Sequence, residues 1–248
     1  MKVKSILVSQ PEPQTENSPY FDLAQKHKVK IDFIPFIQVE GVDVAEVRRQ
    51  KINIPEHTAV ILTSRNAVDH FFRIAEEIRY EVPNELKYFC TSEAIAYYLQ
   101  KYVVYRKRKI YFGTATFQDL APLLKKHKKE KFLLPTSDVL KPEIPQILKE
   151  NKIKYNRCVM YNTVSSDLSH LADVKYDVLV FFSPSGIKSL FENFSDFSQG
   201  ETRIAAFGTV TQKAVEEAGL RVDIPAPTPK YPSMTMALED YIREANKR

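Results

Sequence analysis

The stretch VLVFFSPSGIKSLF, residues 178–191, decides the fold of this 248-residue chain. Its apolar opening, residues 178–182, reads as a strand buried on both faces. Ser183 follows as a helix N-cap, and Pro184 suits the first helical position. Ile187, Leu190, Phe191 and Phe194 then recur at helical spacing. A buried strand that runs straight into a capped helix is one βα unit. IAAFGTVTQKAVEEAGL, residues 204–220, is a second. Gly208, Thr209 and Thr211 open its helix, and Gly219 closes it as a C′ residue. In the first half, AVILTSRNAVDHFF, residues 59–72, repeats the design with Thr63 and Ser64 as caps.

Working outward, residues 5–8 read as a short strand and residues 20–26 as helical. KIDFIPFIQV, residues 30–39, reads as one long extended segment, and its Pro35 argues for an edge or a two-stranded ribbon. Strands are expected near residues 88–89 and 110–112, with helices from Glu93 and over 117–124. The second half repeats this order. A strand at 132–134, a helix at 144–149 and a second long extended segment, YNRCVMYNT at 155–163, lead back to the opening motif. Residues 225–232 form a proline-rich loop, and Ser233 can cap a last helix. The spacing from Ser64 to Cys90 matches that from Ser183 to Gly208 to within one residue. Strands alternating with helices, twice over, predict an α/β fold of two similar parallel-sheet domains.

Composition removes several functional classes. Six glycines leave no G-x-G-x-x-G and no P-loop, so dinucleotide and P-loop nucleotide sites are not expected. Cys90 and Cys158 are too few for a disulfide scaffold or a cysteine zinc finger, and they suit a reducing, cytoplasmic setting. Their sequence neighbourhoods hold no histidine, so both read as strand packing residues. His27, His57, His70, His127 and His170 show no metal-ligand spacing, so no metal is expected. Neither a membrane span nor a secretory signal is visible.

The formal charge of +5 is a local feature. Residues 101–131 hold ten basic side chains against Asp119 and Glu130, a charge of +8, and the remainder is slightly acidic. The plain reading is a solvated surface. Steering of a polyanion or a nucleic-acid patch are the sharper ones, with Tyr102, Tyr105 and Tyr111 as stacking groups. No nucleic-acid-binding motif accompanies them, so no nucleic-acid partner is expected.

In open parallel sheets, ligands bind beyond the carboxyl ends of the strands, where helix starts offer free N–H groups to anions. Four such corners are rich in hydroxyls: Thr63-Ser64-Arg65-Asn66, Thr91-Ser92-Glu93, Ser183-Pro184-Ser185-Gly186 and Gly208-Thr209-Val210-Thr211. A single corner is usually only a helix cap. Paired corners in each of two repeats point to an anion site.

Taken together, these pieces resemble the uroporphyrinogen-III synthase family. The resemblance spans nearly the whole chain. It rests on residues 178–191, 204–220 and 232–242, on the weaker copy at 59–72, on ILVSQP at 6–11, and on Tyr161 within VMYNT. It implies two α/β domains joined by a two-stranded antiparallel ladder. One domain would comprise residues 1–33 and 164–248, the other 40–154. The ladder would be 32–39 against 155–163, with the active site in a cleft between the domains. The implied reaction needs no cofactor. It closes hydroxymethylbilane, a linear tetrapyrrole with eight carboxylates, to uroporphyrinogen III with ring D inverted, within heme biosynthesis. Tyr161 would be the catalytic donor. Thr63, Ser64, Asn66, Ser183, Pro184, Ser185, Gly186, Gly208, Thr209 and Thr211 would bind the acetate and propionate groups.

The chain departs from the family pattern at Gln10, at Cys90 with Glu93, and at the turn Pro135-Thr136-Ser137-Asp138, where the family carries arginine, a glycine and threonine corner, and arginine respectively. A monomer is expected. The competing reading is a non-catalytic bilobal α/β protein that binds a small polyanion. It would share the helix corners but would have no use for Tyr161.

Overall fold

Two runs of four apolar residues, AVIL and VLVF, become the strands at the middle of two separate sheets. In the computed structural model, which describes residues 2–15, 17–172 and 174–247, the chain begins with β1 (Ser5–Val8), α1 (Pro19–His27), β2 (Lys30–Phe33), β3 (Ile37–Gly41) and α2 (Val44–Arg49). It continues through β4 (Ala59–Leu62), α3 (Arg65–Glu77), β5 (Lys87–Cys90), α4 (Glu93–Tyr98), β6 (Ile110–Phe112) and α5 (Phe117–Lys126). Next come β7 (Phe132–Ser137), α6 (Glu143–Glu150), β8 (Tyr155–Ser165), β9 (Val178–Phe181) and α7 (Pro184–Asn193). The last elements are β10 (Arg203–Phe207), α8 (Thr209–Glu217), β11 (Ile224–Ala226) and α9 (Met234–Lys247).

The chain divides into two compact units, Met1–Gln38 with Val164–Arg248, and Val39–Thr163. It passes from one to the other within β3 and again within β8. The first unit holds a parallel sheet in the order β11-β10-β9-β1-β2. The second holds β6-β5-β4-β7-β8-β3, and its strands β4 to β8 are parallel. The two sheets share one winding. β7, β8, β4, β5 and β6 occupy the places of β1, β2, β9, β10 and β11, so one is a permuted form of the other. In this doubly wound order the chain reverses its direction of winding at one seam, where ligands bind. That seam lies between β1 and β9 in the first unit and between β7 and β4 in the second.

Helices cover both faces of each sheet, and so the middle strands are apolar throughout. Leu23 of α1 and Leu238 and Ile242 of α9 pack on one face of the first sheet. Ile187, Leu190 and Val215 from α7 and α8 pack on the other. In the second unit, Ala67, Phe71 and Ala96 from α3 and α4 cover one face. Leu120, Leu124 and Leu148 from α5 and α6 cover the opposite one.

The structure corrects the sequence at three places. Residues 30–39 are not one extended segment, and Asp32 and Phe33 do not face residues 155–163. They pair in parallel with Leu7 and Val8 as part of β2. The break falls at Ile34-Pro35-Phe36 because proline offers no N–H to a ladder. Phe36 then buries its ring edge-on against Phe181, and its carbonyl accepts from the Ser189 hydroxyl and the Ser166 amide. Only the later half of the segment, β3, lies beside β8. The second correction is β11, which takes in the first two residues of the run read as a proline-rich loop. Pro225 is accommodated because β11 is an edge strand and the proline side chain is exposed. The third is α2, too short to show periodicity and announced only by its cap, Asp43, which accepts from Ala45 N at 2.7 Å.

Three variants test this architecture. Phe181 is fully buried, so Phe181→Ala will destabilise the protein by about 3–5 kcal/mol. Tyr97→Ala, at a residue 75% exposed, will stay within roughly 0.5 kcal/mol of the parent. Gly208 sits at φ +86° and ψ 145°, a region held almost solely by glycine. A side chain there would meet nothing within 4 Å, so Gly208→Ala isolates backbone strain and will cost about 1–3 kcal/mol. Denaturant midpoints at constant m-value read all three.

Candidate active site

Tyr161 reaches its position through an irregularity in β8. Along the β7–β8 register, Thr136 pairs with Val159 but Ser137 pairs with Tyr161, leaving Met160 as an extra residue. Strict alternation would turn Tyr161 away from Cys158 and Met160. The bulge restores it to their face, and all three pack into the same core as α3. The phenol therefore lies at the winding seam of the second unit, beside the carboxyl ends of β7 and β4. It is 7% exposed. Its oxygen is 3.3 Å from Ser64 Oγ. Burial raises the pKa of the phenol, and its polar neighbours Ser64 and Ser137 return part of the shift. Tyr161 is therefore protonated at neutral pH.

Each neighbour is placed by ordinary local structure. Ser64 is the N-cap of α3 and accepts from Ala67 N at 3.1 Å. Thr63 is half-buried, and its carbonyl accepts from Thr91 Oγ1 at 3.4 Å. Asn66 is exposed in the first turn of α3. Asp138 N donates to Tyr161 O at 3.1 Å, which ties the end of β7 to β8. Arg157, one strand over, donates to Thr136 Oγ1 (3.0 Å), Ser137 O (3.0 Å) and Asp138 O (2.7 Å). The turn that lacks its own arginine is thus braced by an arginine from β8. His70 of α3 stacks on the Tyr161 ring, with centroids 4.9 Å apart and planes 17° from parallel. Arg73 Nε donates to His70 Nδ1 at 3.1 Å, and its Nη2 donates to Val42 O and Met160 O.

The first unit presents its own seam. Ser9, just past β1, donates its amide to Val180 O at 3.0 Å. Across the seam Ser183 caps α7 and accepts from Gly186 N at 3.3 Å. Pro184 is exposed and Ser185 half-buried. Gly186 must stay small, because a Cβ would lie 3.2 Å from the Phe181 ring and 3.8 Å from Ser9 Oγ. One strand further, α8 begins at Gly208 with no side-chain cap. Its first amides, Thr209, Val210 and Thr211, have no intrahelical acceptor by construction. Thr209 is exposed and Thr211 is buried. Positive dipole ends and open N–H groups at adjacent strand ends are chemically suited to an anion.

Tyr161 meets a hydroxyl corner at Ser64. Thr63 and Asn66 flank that corner, whereas Ser183, Ser185, Gly186, Gly208, Thr209 and Thr211 belong to the first unit. Sequence reasoning missed His70, Arg73, Arg157 and Ser9. The first three act through contacts between residues distant in the chain, and no local motif marks them. Ser9 was legible in principle as the residue that ends β1. Glu93 is exposed at the start of α4, next to Ser92, which makes no side-chain cap bond. The basic residues 106–109 and 125–131 lead into the amino ends of β6 and β7, at the opposite edge of the second sheet from the starts of α3 and α4. β7 alone spans about 20 Å, more than twice the screening length of about 8 Å at physiological salt.

Comparison with known proteins adds the family. A model described as uroporphyrinogen-III synthase HemD matches residues 19–236. A curated uroporphyrinogen-III synthase from Chlorobaculum parvum is 25% identical over 263 aligned positions, which cover 97% of this chain and 100% of the relative. The crystal structure of uroporphyrinogen-III synthetase from Helicobacter pylori superposes with a TM-score of 0.61 at 19% identity, covering 98% of this chain and 100% of that one. A mutant uroporphyrinogen III synthase from Thermus thermophilus gives 0.55 at 16% identity, with 99% and 100% coverage. The two structures bear on the fold, which they share. The family model spans most of the chain, from α1 into α9, and on that ground the chain belongs to the uroporphyrinogen-III synthase family.

Proposed function

We propose that this chain closes hydroxymethylbilane to uroporphyrinogen III, and that Tyr161 supplies the proton-donating group. One observation carries the assignment of Tyr161: a buried, protonated phenol sits at the winding seam of a family member's sheet, with Ser64 Oγ within hydrogen-bond distance of its oxygen. When Ser64 Oγ–H donates to that oxygen, the phenolic proton is left for a ligand. Given to the terminal hydroxyl of the linear tetrapyrrole, it lets that group depart as water and leaves an electrophilic azafulvene. Attack by the substituted carbon of ring D gives a spiro intermediate, which fragments and recloses with the ring inverted. Direct closure gives the uninverted isomer, so the main task of the protein is to hold the ends of the chain in one geometry.

The helix starts supply that hold. Thr63, Ser64 and Asn66 on α3, and Ser183, Ser185, Gly186, Gly208, Thr209 and Thr211 on α7 and α8, offer hydroxyls and amides to acetate and propionate groups. Pro184 contributes by fixing the first turn of α7. Backbone donors dominate, which fits a site built without an arginine at Gln10. A reducing compartment suits the two free, buried cysteines. Among the described residues, no helix is long and apolar enough to cross a membrane.

Separation of the type I and type III isomers after incubation with hydroxymethylbilane tests the activity directly. Formation of type I alone, at the spontaneous rate, would exclude it and leave the polyanion-binding alternative. Tyr161→Phe is expected to lower kcat by roughly 10²-fold, within the range for loss of a general acid, with stability reduced by only about 1 kcal/mol. Unchanged turnover would remove Tyr161 from the reaction. The pH profile has a defined sign. The donor form of Tyr161 exists below its pKa, which burial raises above the ordinary value of 10.0, so its contribution is lost only as pH rises through that point. A flat kcat from pH 7 to about 9.5 is expected, and an alkaline decline centred near pH 8 would assign the proton to another group. Neutralising the lysines among residues 125–129 should leave kcat/KM nearly unchanged at 0.15 M salt, since those charges lie beyond the screening length.

A further inference from the structure

His70 has no place in the scheme above, yet it is in direct contact with its central residue. It lies two turns into α3 and stacks on Tyr161. Its tautomer is set by Arg73. A guanidinium can only donate, so the 3.1 Å contact from Arg73 Nε makes His70 Nδ1 an acceptor and leaves the ring proton on Nε2. Arg73 is itself immobilised. Its Nη2 holds Val42 O at 2.8 Å and Met160 O at 3.0 Å, and its Nη1 holds Glu77 at 2.6 Å. The guanidinium also fills the space a side chain would take at Gly41, where a Cβ would come within 2.9 Å of its Cζ. Burial first, then the Arg73 charge, lower the His70 pKa, with Asp69 opposing them. The imidazole is therefore neutral at pH 7.

Among the described residues, Nε2 finds no hydrogen-bond acceptor, and the side chain is half-buried with part of its surface open. A histidine that serves only as packing satisfies both nitrogens or buries the ring outright. His57 does the former, with Nδ1 on Asn53 O and Ile54 O and Nε2 on Asn156 Oδ1. His70 instead carries one fully committed nitrogen and one uncommitted donor, on a ring held flat against the candidate phenol.

We propose that His70 is a substrate-binding residue whose Nε2–H donates to a carboxylate of the linear tetrapyrrole bound at Tyr161. This rests on the assignment of Tyr161 made above. A carboxylate is the acceptor the ligand offers in greatest number, and it needs no proton from the ring. The carboxylate does not react, so the contact is equally strong in the bound substrate and in the transition state. Its loss therefore raises KM and spares kcat. Loss of the Tyr161 donor is expected to give the opposite pattern, a lowered kcat, because its proton would move during the reaction.

The test uses two substitutions that separate donor from ring. His70→Phe keeps an aromatic face on Tyr161 and removes the donor. His70→Gln places an amide N–H near the position of Nε2 and removes the ring. His70→Phe is expected to raise KM about tenfold, the scale of one hydrogen bond to a charged group, with kcat within about twofold of the parent. His70→Gln should return KM to within about threefold. A wild-type KM in His70→Phe would overturn the proposal, as would a KM equally raised in both variants or a fall in kcat at constant KM, since these outcomes mark a role in packing alone. If His70→Phe fails to fold, a tenfold rise in KM for His70→Gln overturns it as well. Tyr161→Phe, assayed alongside, keeps the two claims apart. Unchanged turnover in that variant sinks the assignment of Tyr161, whereas slow turnover together with a wild-type KM in His70→Phe sinks only that of His70.

Discussion

The first amides of every helix lack an intrahelical acceptor, and a parallel sheet collects those amides along one edge. The rest of this structure depends on that constraint. Because all helices following a parallel strand start at its carboxyl end, α3 and α4 open along one edge of the second sheet, and α7 and α8 along one edge of the first. Serine caps take up part of the deficit at Ser64 and Ser183. At Gly208 nothing does, since glycine is chosen there for a backbone angle and has no cap to give. An edge with unspent donors is a poor surface for packing and a good one for an anion.

Burial sets the second layer of the design. Covering each sheet on both faces removes the strands from water and fixes their ends to within a side chain's length. On that rigid base, one extra residue in β8 is enough to swing a phenol from one face of the sheet to the other. Arg157 and Arg73 then hold the two sides of the bulge by their backbone carbonyls. Both arginines thereby tie down main chain near the phenol.

The legible part of the fold was that carried by local patterns. AVIL and VLVF could be read as buried strands, and the serine after each as a cap, because both signals lie within a few adjacent residues. The repeat followed from matched spacing between such signals. What escaped the sequence depended on partners far along the chain. Pro35 correctly announced trouble in residues 30–39, but whether it bent an edge strand or parted two sheets rests on where Phe36 is buried. Pro225 argued against a strand and was overruled because β11 has a neighbour on one side only. For the candidate site, Tyr161 and Ser64 were found separately, from a resemblance and from a cap pattern. Their contact, and those of His70 and Arg157, could not be read, since no spacing rule links residues 64, 70 and 161.

The placement of Val39–Thr163 as an uninterrupted insert within the first unit has a consequence for biogenesis. Synthesis runs from the amino terminus, and domains fold as units while they emerge. The inserted unit is complete once β8 has left the ribosome. By then the other unit consists only of β1, α1 and β2, and β1 is a central strand whose second neighbour, β9, has not been made. For that interval the nascent chain carries one finished body and one sheet with an open edge, and the later-born half of the protein closes it.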